Sequence, residues 1–254
     1  MSPTTPPALA VDGLGLQIGG ATILHDVNLD VAPGSFVGVI GPNGAGKTTL
    51  FNLVSGVMQP TSGTIRLHDQ DITRQPVHRR ARAGLGRTFQ TSNLFPQLTT
   101  LENVRMAAQV ELGGSLSLLH FPRRNDRATT IAREKLEYVG LAHTIGARAG
   151  DLSHGDKRKL EIAVLLASDP DVVLLDEPMA GVGSGDVAGL TEIIRTMHRD
   201  QQCTVLMVEH HMDVLMGLVD KVAVMHQGSV LAYDTPAEVM ANDVVQSAYL
   251  GVAP

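Results

Sequence analysis

Phe36-Val37-Gly38-Val39-Ile40-Gly41-Pro42-Asn43-Gly44-Ala45-Gly46-Lys47-Thr48-Thr49 decides the reading of this chain. Its first five residues are an apolar, β-branched run with the length of a buried strand. Gly41 and Gly46 are the fixed glycines of the pattern G-x-x-x-x-G-K-[ST], which Lys47 and Thr48 complete. Leu50, Phe51, Leu53 and Val54 then repeat at helical spacing. In a strand–loop–helix setting, glycines let backbone N–H groups turn inward around phosphate oxygens, and the helix N-terminus adds a favourable dipole. Gly41, Pro42, Asn43, Gly44, Ala45, Gly46 and Thr49 then form the cradle, Lys47 reaches the β- and γ-phosphates, and the Thr48 hydroxyl ligates Mg²⁺. A glycine-rich turn that binds nothing is the competing reading, and it leaves the match at every fixed position unexplained. The loop specifies a nucleotide, not its use.

Upstream, Val11 to Val31 holds short apolar runs broken at Gly19-Gly20, with Val27, Leu29 and Val31 alternating. That pattern predicts an antiparallel β layer leading through Pro33-Gly34 into the buried strand. Met1 to Ala10, rich in Pro and Thr, lacks the basic start and apolar core of a signal peptide and reads as a flexible leader, residues 1–10. The folded domain is then 11–254. Downstream, Thr64 to Leu67 predicts a short strand, and Thr99 to Val110 and Arg127 to Val139 predict helices. Leu160, Ala163, Val164 and Ala167 fall at helical spacing before Asp169-Pro170 stops the run. The region of about 91–165 therefore reads as an inserted helical lobe.

Two apolar runs end in acids: Val172 to Leu175 in Asp176-Glu177, and Thr204 to Val208 in Glu209-His210-His211. With the helical spacing of Val187 to His198 between them, they predict parallel strands whose C-terminal ends share one edge with the glycine loop. Lys221 to Met225 and Val230 to Tyr233 predict a hairpin, and Thr235-Pro236-Ala237-Glu238 is a capping box with proline at the first helical position.

Composition narrows the function classes. With 43% hydrophobic residues, 254 residues suffice for a substantial core, mostly aliphatic because aromatics are 3% and tryptophan is absent. A formal net charge of −6 and the lack of a long basic run weigh against a nucleic-acid partner. Arg79, Arg80, Arg82 and Arg87 cluster, and a solvated face explains them most cheaply. Cys203 is the single cysteine, so no intrachain disulfide forms and a reducing compartment is natural. No apolar stretch is long enough to span a bilayer, so any membrane role requires docking to another chain.

The strand ends carry the candidate chemistry. Asp176 can hold Mg²⁺ opposite Thr48, and Glu177 can orient or deprotonate a water for attack on the γ-phosphorus. His210 reads either as a hydrogen-bonded structural histidine or as a donor to the γ-phosphate. Gln90 reads either as a surface glutamine or as a contact to Mg²⁺ or the attacking water. Ser153-His154-Gly155-Asp156 has capping-box spacing, and a serine with a glycine N–H at a helix N-terminus is also an anion site.

Taken together, Gly41 to Thr49, Gln90, Leu152 to Lys157, Val172 to Glu177 and His210 resemble the full motif set of an ATP-binding-cassette (ABC) ATPase, over almost the whole chain after residue 10. The resemblance implies an α/β fold, a P-loop NTPase core with an antiparallel β subdomain and an inserted helical lobe. It makes Gly41–Thr49 the Walker A loop, Asp176 the Walker B acid, Glu177 the catalytic glutamate and His210 the switch histidine. Gln90 becomes the lever to a membrane subunit, and Ser153–Gly155 the signature that closes on ATP held by a second ATPase subunit in a head-to-tail dimer.

More narrowly, Arg87-Thr88-Phe89-Gln90, Leu94-Phe95-Pro96 through Leu101-Glu102-Asn103-Val104, Leu160-Glu161-Ile162-Ala163, Glu177-Pro178-Met179-Ala180-Gly181 and Ala248-Tyr249-Leu250-Gly251 resemble the larger ATPase of branched-chain, or hydrophobic, amino-acid importers and of related urea and short-amide importers. The partners this implies are transmembrane permease subunits, a second homologous ATPase subunit or a second copy of this chain, and indirectly an extracytoplasmic solute-binding protein. The implied place is peripheral, on the cytoplasmic face of the inner membrane, with ATP and Mg²⁺ as cofactors. An exporter ATPase for lipid or polysaccharide shares every catalytic motif, and only the lobe and tail stretches argue against it. A soluble cassette ATPase acting on DNA or ribosomes usually carries two cassettes or a long coiled coil, which 254 residues do not hold. A P-loop kinase or GTPase leaves the signature and the Asp-Glu pair unexplained. Two positions depart from the family pattern: Ile18 stands where an aromatic residue usually stacks on adenine, and Asp156 where glutamine is usual. Asp156 is expected to turn away from the partner's phosphate, offset by Lys157 or Arg158.

Overall fold

The computed structural model describes residues 6–88, 94–112 and 126–250. In chain order its strands and helices are β1 (Leu9–Ile18), β2 (Ala21–Val31), β3 (Phe36–Ile40), α1 (Lys47–Ser55), β4 (Ser62–Leu67), β5 (Gln70–Asp71), α2 (Val77–Arg82), β6 (Leu85–Arg87), α3 (Thr100–Glu111), α4 (Arg127–Tyr138), α5 (His154–Leu166), β7 (Val172–Asp176), α6 (Ser184–Gln201), β8 (Thr204–Val208), α7 (Met212–Met216), β9 (Lys221–His226), β10 (Ser229–Asp234), α8 (Pro236–Met240) and α9 (Asp243–Leu250). They divide into two compact units, one formed by residues through Leu85 with Asp171–Glu177 and the chain from His198 onward, the other by Gly86–Pro170 with Pro178–Met197.

The first unit is built on two sheets. β2, β1, β4 and β5 lie in that order, with every pairing antiparallel. Along β2, Leu24, Val27, Leu29 and Val31 are buried while His25, Asp26, Asn28 and Asp30 face solvent, the alternation of a strand with one wet face. The second sheet runs β10-β9-β3-β8-β7-β6. β3 pairs in parallel with β8 and β9, and β8 with β7. Every residue of β3, β7 and β8 is buried, which is why these strands read as unbroken apolar runs rather than alternating ones. Val37 and Val39 of β3, Leu50, Phe51, Leu53 and Val54 of α1, and the inward side chains of β1 and β2 share one core.

Two expectations from the sequence need correction here. Ala8, Leu9 and Ala10, assigned above to the leader, are buried, and Leu9 pairs with both Val31 and Leu67. Successive side chains of a strand leave opposite faces, so the burial of all three means that both faces are covered here, and the ordered layer begins before residue 11. The arginine cluster is the larger difference. Arg79 and Arg82 are exposed, but Arg80 is 0% exposed. Its Nη1 donates to the carbonyls of Leu53 and Val54 at 2.6 and 2.7 Å, its Nη2 to Thr73 at 2.9 Å, and its Nε to Gln75 at 2.9 Å. The last carbonyls of α1 have no partner within the helix, and a cation there also opposes the negative end of its dipole. Burial holds the guanidinium down to about 10, still protonated at neutral pH. Gly56 makes the close approach possible: at φ 82 it caps α1, and a Cβ on it would lie 2.7 Å from Arg80 Nε.

In the second unit α3, α4 and α5 pack on one another. Val104 and Ala108 of α3, Ala132 and Leu136 of α4, and Leu160 and Ala163 of α5 are fully buried, while Leu101, expected on the same face as Val104, is half-buried. A reciprocal capping box between Thr99 and Glu102 starts α3. Asp126 caps α4 and pairs with Arg105 of α3 at 2.6 Å. The unit also takes in Pro178–Met197, so it is wider than the lobe of about 91–165 expected from the helix pattern. Asp186 of α6 lies so close to Gly155 of α5 that a Cβ there would stand 2.8 Å from its carboxylate. Among the described residues no helix is long and apolar enough to cross a membrane.

Candidate nucleotide site

Parallel register brings the candidate residues of the first unit to one sheet edge. Val39 of β3 and Asp176 of β7 both align with Val208 of β8, so the residues after each strand emerge together. The Glu177 N–H extends this ladder by one bond, to the Val208 carbonyl at 2.9 Å. After β3 the chain turns through Gly41, whose missing Cβ would sit 2.3 Å from the Met225 carbonyl, and through Gly46 at φ 101. No side chain caps α1 at Gly46, so its first N–H groups face outward without an internal acceptor of that kind. Lys47 is 7% exposed and folds back over the loop, donating to the carbonyls of Gly41 at 2.7 Å and Pro42 at 3.0 Å. Burial pushes its ammonium pKa down, and the Glu177 and Asp176 carboxylates pull it back up.

A cavity of about 290 Å³ opens in front of the loop, lined by Asn43, Gly44, Ala45, Gly46, Lys47, Thr48, Thr49, Ile23, Glu177 and His210. The His210 Nε2 lies 3.0 Å from Glu177 Oε1 on its wall. Glu177 holds a left-handed backbone, φ 49, a conformation that side-chain-bearing residues seldom adopt and that clusters at functional sites. Asp176, 2% exposed, stands one residue behind it. A hydroxyl from Thr48 and a carboxylate from Asp176 are hard oxygen donors, which suits Mg²⁺, an ion that completes its shell with water and phosphate oxygens. No group of three or more His, Cys, Asp or Glu side chains that could hold a metal by themselves occurs among the described residues.

Gln90, assigned to coupling, to catalysis and to Mg²⁺, lies outside the described residues. Ile18 ends β1 opposite Ala21 and is 51% exposed, and it is Ile23 that joins Ala45 as an apolar side chain in the cavity lining. Ser153 and Gly155 belong to the second unit, where Ser153 caps α5 by accepting the Asp156 N–H at 3.1 Å. The capping box is only half formed, because the Asp156 carboxylate pairs with Lys159 at 3.1 Å. Neither Lys157 nor Arg158 is its partner, contrary to expectation: a three-residue step returns to the same helix face, and Arg158 is taken by Glu161 at 2.8 Å. Sequence reasoning also passed over Glu209, which is 2% exposed beside His210; its signal was an acid at the end of an apolar strand.

With this geometry in place, similarity to known proteins was decisive. The ABC transporter family model matches residues 24–180. The chain belongs to that family. Residues 229–254 match a second model, described as a branched-chain amino acid ATP-binding cassette transporter. The high-affinity branched-chain amino acid transport ATP-binding protein LivG of Escherichia coli K12 is 39% identical over 252 residues, covering 97% of this chain and 99% of LivG. The corresponding BraF protein of Pseudomonas aeruginosa is 39% identical over the same shares of both chains. Among solved structures, the ADP conformation of MJ1267, an ATP-binding cassette of an ABC transporter, superposes with a TM-score of 0.83 at 27% identity, over 96% of this chain and 99% of that one. This chain is thus an ABC ATPase, a nucleotide-binding cassette on a P-loop α/β fold.

Proposed function

We propose that this cassette hydrolyses ATP to power an importer of branched-chain amino acids. The observation that carries hydrolysis is the Glu177 carboxylate, held 3.0 Å from His210 Nε2 on the wall of the cavity formed by the glycine loop. The match of residues 229–254 to the branched-chain model supports the choice of solute over lipid, polysaccharide, urea or amide.

In this reading the α1 N-terminus and the amides of Gly41 to Thr49 receive the phosphate oxygens, and Lys47 leaves its loop carbonyls to reach the β- and γ-phosphates. Thr48 and Asp176 would hold Mg²⁺, which would supply positive charge to offset that of the phosphates. Glu177 accepts the proton of the attacking water, and His210 donates toward the γ-phosphate. Ser153 and Gly155 of a second cassette, identical or homologous, close over that phosphate, and Gln90 and the helical lobe pass closure to transmembrane permease subunits. An extracytoplasmic solute-binding protein delivers the amino acid from the other side, and the cassette sits peripherally at the cytoplasmic face.

Uptake into proteoliposomes carrying the assembled transporter and its binding protein tests this reading. Leucine, isoleucine and valine should accumulate only with ATP on the cassette side, and Lys47→Ala should abolish the uptake. ATP-driven uptake of urea or amides with no branched-chain uptake would overturn the solute assignment.

A further inference from the structure

Glu209 follows directly on β8 and is 2% exposed, yet no step above uses it. A carboxylate withdrawn from water is costly unless hydrogen bonds compensate it. Three contacts meet on one of its oxygens. Glu209 Oε2 accepts the backbone N–H of His210 at 2.8 Å and that of His211 at 3.2 Å, and faces His211 Nδ1 at 3.1 Å.

These residues form the link between β8 and α7, where neither a sheet ladder nor a helix dictates the backbone. Fixing two successive N–H groups on one acceptor sets the dihedral angles around His210, and hence the direction in which its side chain leaves the chain. That direction needs an external constraint. The His210 side chain is 48% exposed, so packing holds the ring only loosely, yet its Nε2 must meet Glu177 Oε1 at 3.0 Å. Glu209 is absent from the lining of the cavity.

We propose that Glu209 is a positioning residue for ATP hydrolysis: its buried carboxylate clamps the turn after β8 and so aims His210 at Glu177. The proposal rests on the reading in which Glu177 and His210 act at the γ-phosphate. It differs from a purely structural role in a specific way, because its effect on rate must pass through His210.

A double-mutant cycle on the full chain in its assembled transporter tests this, with single-turnover hydrolysis of radiolabelled ATP to read slow rates. Glu209→Ala should lower the hydrolytic rate about tenfold while ATP affinity stays within about twofold. Glu209→Gln, which keeps a neutral acceptor, should lose less, about threefold, since bonds to an ionised acceptor are roughly twice as strong. On a His210→Ala background neither substitution should slow hydrolysis further. An equal tenfold loss on both backgrounds, or a loss of affinity at unchanged rate, overturns the proposal. Should Glu209→Ala not fold, the Gln variant carries the same cycle. The two readings fail differently. Full turnover by His210→Ala would remove His210 from the reaction and this proposal with it, whereas slow His210→Ala beside wild-type rates for both Glu209 variants would sink the positioning role alone.

Discussion

Helices α1 and α5 both begin at glycine-containing turns, but their N-termini are finished in opposite ways. At α1 the N-cap is Gly46, and no side chain caps the first amides. At α5 the N-cap is Ser153, whose hydroxyl accepts the Asp156 N–H, and Asp156 itself is neutralised by Lys159. The first terminus keeps its donors for a ligand; the second is partly satisfied from within its own chain. Stability follows the same division. α1 forgoes an N-terminal cap and is tied at its other end, where Gly56 and the buried Arg80 collect the last carbonyls. In the proposed reading, the helix start that seats the phosphate is anchored at its far end, whereas the one that meets a phosphate on another subunit tolerates a cap.

The largest break in this comparison is expected from Arg80→Met. Removing the guanidinium takes their side-chain donor from the carbonyls of Val54, Thr73 and Gln75, while Leu53 keeps the Gly56 N–H. Each buried acceptor left unsatisfied costs about 1–3 kcal/mol, so the loss should be at least about 3 kcal/mol. The midpoint of thermal unfolding should therefore fall by roughly 10 °C. An unchanged midpoint, read by calorimetry, would show that α1 does not depend on its far-end anchor. Lys47→Ala should come next: losing a charged donor to phosphate lowers ATP affinity by about 10–100-fold, since such bonds contribute roughly 1.5–3 kcal/mol. Isothermal titration with ATP checks it, and affinity within twofold of wild type would contradict the role of the loop lysine.

How much of this was legible beforehand divides along physical lines. The loop, β3, β7 and β8 were readable because their signals are local: a fixed glycine spacing, and apolar runs ended by acids. Arg80 was not, because its partners at Leu53 and Val54 lie 27 and 26 residues away, and a run of arginines ordinarily means a wet surface. Periodicity likewise marked Asp156 for a basic neighbour without deciding which. The choice of Lys159 depended on Arg158 being engaged by Glu161. Ile23 was missed as a cavity residue because it sits in an alternating strand, where spacing alone says inside or outside and not which opening a half-buried side chain faces.

Smaller effects should sharpen the α5 side. Ser153→Ala removes the N-cap and should cost about 1 kcal/mol of stability, a few degrees at most. ATP binding to the separate chain should be unaltered, while hydrolysis by the assembled dimer falls. Equal hydrolysis by wild type and variant would confine Ser153 to capping. Asp156→Gln should have the least effect on stability, at most about 0.5 kcal/mol, because its pair with Lys159 is partly exposed. ATP affinity of the dimer should barely change; a sharp rise would mean that the Asp156 carboxylate faces the partner's phosphate after all.

In the proposed mechanism Glu177, directly after β7 and in contact with His210, turns a nucleotide-binding loop into a hydrolase. Glu177→Gln, assayed for ATP affinity and for single-turnover hydrolysis in the assembled transporter, addresses it most directly. Affinity should stay within about twofold of wild type while hydrolysis slows by about 10²-fold or more, the usual worth of a general base. Hydrolysis at the wild-type rate would contradict it.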